Sequence, residues 1–360
     1  MTTTDAPAPT PEELDAFVGR FVGDLAAVAH AATVVVGDKL GLYSTLAQLG
    51  PSTPADLAKA TGCDERFLRE WLSAQAASEY AHYDPATDRF HLDPAQATCL
   101  GDSSHPAFVV GGMTVASSMH KDEEVVRTAF TTGHGVGWHE HHHDLFIGTE
   151  RFFRPGYVAN LVDAWIPALE GVQAKLEAGA KVADVGCGHG SSTLLLAEAY
   201  PNSEIVGFDY HAESIDTANK RAAEAGLADR VRFEVAPADA FPGTGYDLVC
   251  IFDALHDMGD PTAAAAHIRQ ALADDGTWLL VEPSAGDRLE DNLHLVGRIF
   301  YSASTMICTP ASRAQAGHGA ACLGAQAGDA RLQAVTEAGG FTRFRRATET
   351  PFNAVLEVRP

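Results

Sequence analysis

Three glycines at alternate positions, Gly186, Gly188 and Gly190, follow the apolar run Val182-Ala183-Asp184-Val185 and lead into Ser191 and a helix-forming stretch from Thr193 to Tyr200. An apolar run closing in such a turn reads as a buried strand feeding a helix. Glycine suits the turn because a Cβ would obstruct a ligand approaching the backbone, and because tight turns of this kind call on positive φ. Further on, Ile205-Val206-Gly207-Phe208-Asp209, with Tyr210 beyond it, reads as a second strand ending in a carboxylate. That is where an α/β fold meets ribose hydroxyls. Together the two stretches describe a nucleoside site. The spacing is GxGxG, whereas the dinucleotide fingerprint needs its third glycine one residue later, where Ser191 stands. A pyrophosphate cofactor is therefore disfavoured.

A second constellation, His139-Glu140-His141-His142-His143, satisfies HExxH. On a helix, His139 and His143 would share one face as zinc ligands and Glu140 would serve as general base. Glycines crowd its N-terminal side, no third ligand is evident, and a segment this rich in histidine matches the pattern by composition alone. A solvated histidine-rich loop is the expectation, with no metal assigned to the site.

These residues need a scaffold. Beyond Asp209, Val231 to Val235, Asp247 to Phe252 and Thr277 to Val281 read as further strands, each preceded by a helical stretch. Strands alternating with helices imply a doubly wound, mostly parallel sheet. Phe341 to Arg346 and Phe352 to Val358 flank Glu349-Thr350-Pro351 with no intervening helix, so the last pair is expected to be antiparallel. Ahead of this module, Leu14, Phe17, Val18, Phe21, Leu25, Val28, Val35 and Leu46 recur at helical spacing. Thr53-Pro54 and Asp64 start two short helices, one to Ala60 and one to Ala77, around a Thr61-Gly62-Cys63 turn. With strands at Tyr80 to Tyr83 and Arg89 to Leu92, they describe a winged helix. Its second helix sets Arg66 and Arg69 against Asp64, Glu65 and Glu70, so it lacks the basic face that phosphate contacts require. A packing and dimerisation module is expected rather than a DNA reader. The expected division is 1–105 for the N-terminal module, 106–170 for a helical connector that walls a substrate pocket, and 171–360 for the catalytic module. Met1 to Thr10 reads as a disordered tail.

The chain has 360 residues, 46% of them hydrophobic, and a formal net charge of −23. Such a charge repels phosphate backbones and anionic lipid and favours small substrates. The six cysteines are scattered without a CxxC pair, no signal peptide is evident and no apolar run looks long enough to span a membrane, so a reducing cytoplasm is expected.

Asp184 two residues before the first glycine, the GxGxG turn and the acidic end of the following strand together resemble the S-adenosylmethionine (SAM) site of class I methyltransferases. The apolar helices and winged helix ahead of it resemble the N-terminal half of plant-type, small-molecule O-methyltransferases, and the terminal hairpin resembles the class I sheet, seven-stranded in that family. The resemblance implies that Gly186, Gly188 and Gly190 pass under the methionine and ribose portion, that Asp184 lies near the ammonium, and that Asp209 holds the ribose. Asp239 matches the adenine-side acid, with Ala240 and Phe241 flanking the ring, while Phe252 and Asp253 end the fourth strand beside the reacting centre. Methyl transfer needs an aligned acceptor and a base for its proton. Ala254-Leu255-His256-Asp257-Met258 resembles the family's LHDW segment, which makes His256 the implied base and Glu282 the acid that orients it. Met258 replaces the aromatic residue, and the second supporting acid of the family's G-x-E-R segment is Ala330, leaving only Asp329 as a stand-in. The resemblance further implies a homodimer, a small-molecule acceptor and S-adenosylhomocysteine as product. Met113, Met119, Trp138, Phe152, Phe153 and Tyr157 are candidate acceptor contacts, as are Asn292, His294, Arg298, Tyr301 and Ser304.

Overall fold

The computed structural model describes residues 8–360, in two compact units, one running to Ser117 and the other over Ser118–Pro360. The segment expected to form a separate connector is thus divided between them. Of the expected disordered tail, residues 1–7 lie outside the described residues, and Thr10 is already part of a helix start.

In the first unit, α1 (Pro11–Lys39) begins at a reciprocal cap: Thr10 Oγ1 accepts the Glu13 N–H, and Glu13 returns a carboxylate to the Thr10 N–H. It is followed by α2 (Leu42–Leu49), α3 (Pro54–Thr61), α4 (Glu65–Ala77) and the antiparallel pair β1 (His82–Asp84) and β2 (Arg89–His91), in which His82 faces His91. Val34, Leu42, Tyr43, Leu46, Leu57, Leu68, Trp71, Leu72 and Phe90 form its core. Gly37 permits the approach of α4, because a Cβ there would lie 2.4 Å from the Trp71 ring. The winged helix is as the sequence implies, and both arginines of α4 are neutralised: Arg66 by Glu70, and Arg69 by a two-pronged contact with Asp88 at 2.8 and 3.2 Å.

The expectation that no apolar run is long enough to span a membrane is corrected by α1. It has 29 residues and contains an 18-residue window of mean hydropathy 1.4, long and apolar enough by length and composition. Arg20 and Asp24 interrupt the run when it is read residue by residue, yet over a full window the Ala, Val, Leu and Phe around them prevail. The stripe Leu14, Phe17, Val18, Phe21, Val22, Leu25 and Val28 is exposed.

The second unit is built on a seven-stranded sheet of order β5–β4–β3–β6–β7–β9–β8. Its strands are β3 (Lys181–Val185), β4 (Glu204–Asp209), β5 (Val231–Val235), β6 (Tyr246–Phe252), β7 (Leu272–Pro283), β8 (Arg343–Glu349) and β9 (Asn353–Arg359). The first five pair in parallel, and β9 pairs antiparallel with both β7 and β8. The central strands are nearly continuous apolar runs because helices cover both faces. One face packs on Leu161, Trp165, Ile166 and Leu196, the other on Phe241, Leu255, Ile268 and Leu332. The chain order reverses at β3, whose neighbours are β4 and β6, and in open α/β sheets ligands bind beyond the carboxyl ends of the strands at such a point.

Candidate active site

A cavity of about 500 Å³ opens beyond the carboxyl ends of β3, β4, β5 and β6, within the range of roughly 300–1,000 Å³ usual for small-molecule sites. Its wall includes Gly186, Cys187 and Gly188 after β3, Asp209 and Tyr210 after β4, Ala238 and Asp239 after β5, and Phe252 and Asp253 at the end of β6. Strand order thus brings together residues that the sequence separates widely.

The glycine turn is fastened to the neighbouring strand. The N–H groups of Gly186 and Cys187 both donate to the Phe208 carbonyl, at 2.8 and 3.0 Å. The Gly188 N–H donates to Asp209 Oδ2 at 2.9 Å, while Oδ1 accepts from the His211 N–H at 2.9 Å. Gly186 and Gly188 have φ of +76° and +52°, and a Cβ at Gly188 would point into open space, so backbone is what a ligand meets there. Burial raises the Asp209 carboxyl, against the pull of those two N–H groups. Each of its oxygens keeps a further lone pair for a hydroxyl.

Asp184 is placed differently from the other acids. It is fully buried under the turn, where Oδ2 accepts from Ser192 Oγ at 2.7 Å and Thr193 Oγ1 at 2.6 Å, and Oδ1 has no partner. Burial lifts its carboxyl to about 6 despite the two hydroxyls. Asp184 is not on the cavity wall, nor are Gly190 and Ala240. Gly190, at φ +81°, packs on Phe233 and starts the helix Ser191–Ala199.

A residue that sequence reasoning missed clamps the far side of the turn. Glu150, from the helix Asp144–Asn160, accepts from Ser191 Oγ at 2.7 Å, contacts His189 Nδ1 at 3.1 Å and pairs with the Arg221 guanidinium. Burial opposes its ionisation, but the hydrogen bonds from His189, Arg221 and Ser191 prevail and hold the carboxyl at about 2. Phe146, one turn earlier, stacks on His211 at 4.9 Å and meets Trp138 edge-on at 5.4 Å, giving the cavity an aromatic side. No motif marks either residue. An exposed-looking acid ahead of an aromatic pair was the only sequence signal.

Behind the cavity His256 and Glu282 meet. Glu282, ending β7, is buried; its Oε2 lies 2.6 Å from His256 Nδ1, and its Oε1 accepts the Leu255 N–H at 2.9 Å. Both its oxygens are thereby committed to the Leu255–Asp257 turn. The other ring nitrogen, Nε2, faces Asp257 Oδ1 at 3.4 Å. Asp257 lines the cavity and is held through Oδ2 by the Trp138 indole N–H at 3.1 Å, whereas His256 and Glu282 are one layer back. Burial pulls the imidazole down, but the charges of Glu282 and Asp257 and the Cys308 thiol carry it well above the ordinary histidine value. Asp253, at φ +51°, accepts from Tyr157 Oη and Asn353 Nδ2, both at 2.9 Å; burial and the neighbouring Glu282 push it up to about 8.

Of the candidate acceptor contacts, Trp138, Phe153 and Tyr157 line the cavity; Phe152, Met119, Asn292, His294, Arg298, Tyr301 and Ser304 do not. Asn292 clips its own loop through Gly286 and Arg288, and His294 caps the helix Leu295–Ala303. Asp329, the stand-in for the second supporting acid, is engaged by Arg346 at 2.6 and 3.0 Å. The HExxH segment is not a helix: Trp138–Glu140 is a single 3₁₀ turn, and the next helix starts at Asp144. His139 and His143 are exposed, as a solvated loop implies, but His141 is buried against Asp122 at 3.0 Å.

Residues 176–339 match the family model of a methyltransferase domain, and residues 27–102 that of an Rv2258c-like winged HTH domain. The chain therefore carries a methyltransferase domain behind a winged helix-turn-helix domain. The 27-O-demethylrifamycin SV methyltransferase of Amycolatopsis mediterranei is 31% identical over 118 residues, which are 31% of this chain and 43% of the relative. The chain spans less than half the length of the curated relatives it matches. Human N-acetylserotonin methyltransferase, solved in complex with SAM, superposes with a TM-score of 0.66 at 16% identity over 99% of both chains. An O-methyltransferase from neocarzinostatin biosynthesis, solved with SAM and 2-hydroxy-5-methyl naphthoic acid, does so with a TM-score of 0.55 at 15% identity, covering 91% of this chain and 95% of that one. At such identities the likeness establishes a shared fold.

The Glu150 clamp predicts acid sensitivity of a definite sign. A carboxyl held at about 2 in the fold, against 4.5 for the free group, contributes stability that is fully present above 4.5 and is lost as pH falls toward 2. The contribution is on the order of 3 kcal/mol. Urea unfolding of wild type and Glu150→Gln should show the variant less stable near neutrality, the gap narrowing as the pH is lowered. A gap that is independent of pH would show that Glu150 acts by packing alone.

Proposed function

We propose that the protein transfers a methyl group from SAM to a hydroxyl oxygen of a small-molecule acceptor. The observation that carries this reading is the meeting of the Gly186–Gly188 turn with Asp209 on the wall of the cavity. The backbone turn is open to a ligand, Asp209 has lone pairs for two ribose hydroxyls, and Asp239 stands farther along the same wall for an adenine amine. The unpartnered Oδ1 of buried Asp184, close under the turn, adds a negative field that suits a cationic nucleoside better than a pyrophosphate. When bound, SAM supplies an activated methyl on a sulfonium, already an excellent leaving group.

What remains for the chain is to align the acceptor and accept its proton. Trp138, Phe146, Phe153 and Met258 offer an apolar and aromatic surface for an acceptor ring. The acceptor's proton would pass by Asp257, on the wall, to His256 Nε2 behind it, and Glu282 would hold the imidazolium that results. A DNA-reading alternative is disfavoured by the carboxylates that neutralise Arg66 and Arg69. The exposed stripe of α1 supports a second copy of this chain as its cover, since Arg20 and Asp24 within the apolar window suit a partly wet protein interface better than hydrocarbon. The scattered cysteines favour a cytoplasmic setting.

Calorimetry with SAM or S-adenosylhomocysteine tests the cofactor assignment. Binding in the micromolar range is expected, weakened in Asp209→Ala by about 1 to 3 kcal/mol through lost charge-assisted hydrogen bonds. Unchanged affinity in that variant would remove Asp209 from the site. The dimer is tested by light scattering of wild type against Phe17→Glu with Phe21→Glu. Both side chains are more than half exposed, so the pair should yield a folded monomer; a wild-type monomer at micromolar concentration would refute the interface.

The base is tested by pH. Because the fold raises the His256 imidazole, the neutral form needed to take a proton appears only above the ordinary histidine range, and the rate should rise with pH through an ionisation displaced to the alkaline side. Glu282→Gln removes a charge that raises it, so the rise should move to lower pH. His256→Ala should lower kcat by roughly 10² to 10⁴ with SAM affinity intact. A loss below about fivefold, too small for a positioned base, would assign His256 to packing.

A further inference from the structure

The Nε2 side of His256 is occupied in a way that a general base does not require. His256, Asp257 and Cys308 each offer one potential ligand atom, these atoms lie within 4.8 Å of one another, and all three residues are buried. Asp257 Oδ1 has no hydrogen-bond partner and is aimed at Nε2 from 3.4 Å. A buried carboxylate oxygen served by nothing better than a 3.4 Å ionic contact is costly, and such an atom calls for an explanation. The same distance is the ligand-to-ligand edge of a tetrahedral zinc ion with bonds of about 2.0–2.1 Å, which comes to about 3.4 Å.

Two of the three residues are anchored from behind as in a metal centre. Glu282 holds His256 Nδ1, which leaves Nε2 as the free nitrogen, and a carboxylate behind a ligating histidine is the usual outer contact. Trp138 Nε1 holds Asp257 Oδ2, which leaves Oδ1. Cys308 ends the π-helical turn Ser304–Cys308, an irregularity that swings one residue out of α-helical register and recurs at functional sites. A nitrogen, a thiolate and one carboxylate oxygen suit a borderline-soft divalent cation, not calcium or magnesium. The other candidate cluster, His142, His143 and Asp144, is a poorer site: Asp144 Oδ2 is already paired with Lys121 at 2.5 Å, and His142 Nδ1 accepts the Asp144 N–H.

We propose that His256, Asp257 and Cys308 form a zinc-class metal site whose occupancy switches methyl transfer off. Binding places the cation on Nε2, the nitrogen that must otherwise take the acceptor proton; the imidazolium gives up its Nε2 proton and Cys308 its thiol proton to solvent as the two bonds to the metal form. The cavity wall at Asp257 is the way in, and a water completes the fourth position. The switch rests on the methyl-transfer reading, whereas the metal site does not.

The full chain, purified and stripped with a chelator, should take up one zinc per chain, and cobalt in its place should give a thiolate-to-cobalt charge-transfer band. Cys308→Ser should abolish the band and weaken zinc binding by at least tenfold. Trp138→Phe, which frees Asp257 Oδ2, should weaken it by roughly tenfold. His142→Ala with His143→Ala should leave both readings unchanged. Should Cys308→Ser fail to fold by circular dichroism, Asp257→Asn makes the same test of affinity. Equal zinc affinity in wild type, Cys308→Ser and Asp257→Asn, or loss of binding in the His142 and His143 variant, would overturn the site. In the assay, stoichiometric zinc should stop turnover without weakening SAM binding, and a chelator should restore it. Full turnover with zinc bound at Cys308 would overturn the switch, and a wild type inactive with and without zinc would instead count against the methyl-transfer reading.

Discussion

The fastening of the Gly186–Gly188 turn to the end of β4 is the constraint on which the rest of the site depends. Positive φ at two glycines leaves the turn's N–H groups pointing at the neighbouring strand, where the Phe208 carbonyl takes two of them and the Asp209 carboxylate the third. One residue thus has two duties. Asp209 fixes the turn at the cavity floor and keeps lone pairs open on the cavity wall. Glu150 then clamps the outer side of the turn through Ser191, His189 and Arg221, so the loop is held from both edges before any ligand arrives. Preorganisation of this kind lowers the ordering cost of binding.

Carboxylates dominate the same end of the sheet. Asp184, Asp209, Asp253, Asp257 and Glu282 are gathered at or just beneath the strand ends, and burial raises three of them, to about 6 for Asp184 and about 8 for Asp253, with Asp209 in the same direction. A fold that concentrates acids where they are costly to ionise repels an anionic cofactor and gains from a cation. A sulfonium bearing an ammonium answers that field. The formal charge of −23 extends it over the whole chain, consistent with small ligands rather than nucleic acid.

Much of this was legible in the sequence because it depends on local rules. The glycine turn, the acid ending β4 and the winged helix rest on turn chemistry, strand ends and caps, and β5 falls on the residues that periodicity marks. Boundaries moved where local rules give way: β7 starts at Leu272 instead of Thr277, since its first residues pair irregularly past the Tyr246 bulge. Glu150 and Phe146 could not be read, because no motif marks them and they matter only through contacts with His189 and His211, whereas Trp138 was legible as an aromatic wall but not as the partner of Asp257. His141 was misjudged for a similar reason, its partner Asp122 lying in the turn before the helix Glu123–Thr132.

The raised imidazole of His256 links the two halves of the site. Behind the cavity, His256 is surrounded by negative groups that favour its protonated form, a poor start for a base. A cationic cofactor brought to the nearby strand ends opposes those charges, and so favours the neutral imidazole at a given pH. On the proposed mechanism, cofactor binding and base activation are then one electrostatic event: the acids that draw the sulfonium in are relieved by it, and the proposed proton acceptor becomes available when there is a methyl to transfer. The same surroundings favour the proposed divalent cation at Nε2, since any positive charge that reaches Asp257 and Glu282 relieves the same repulsion.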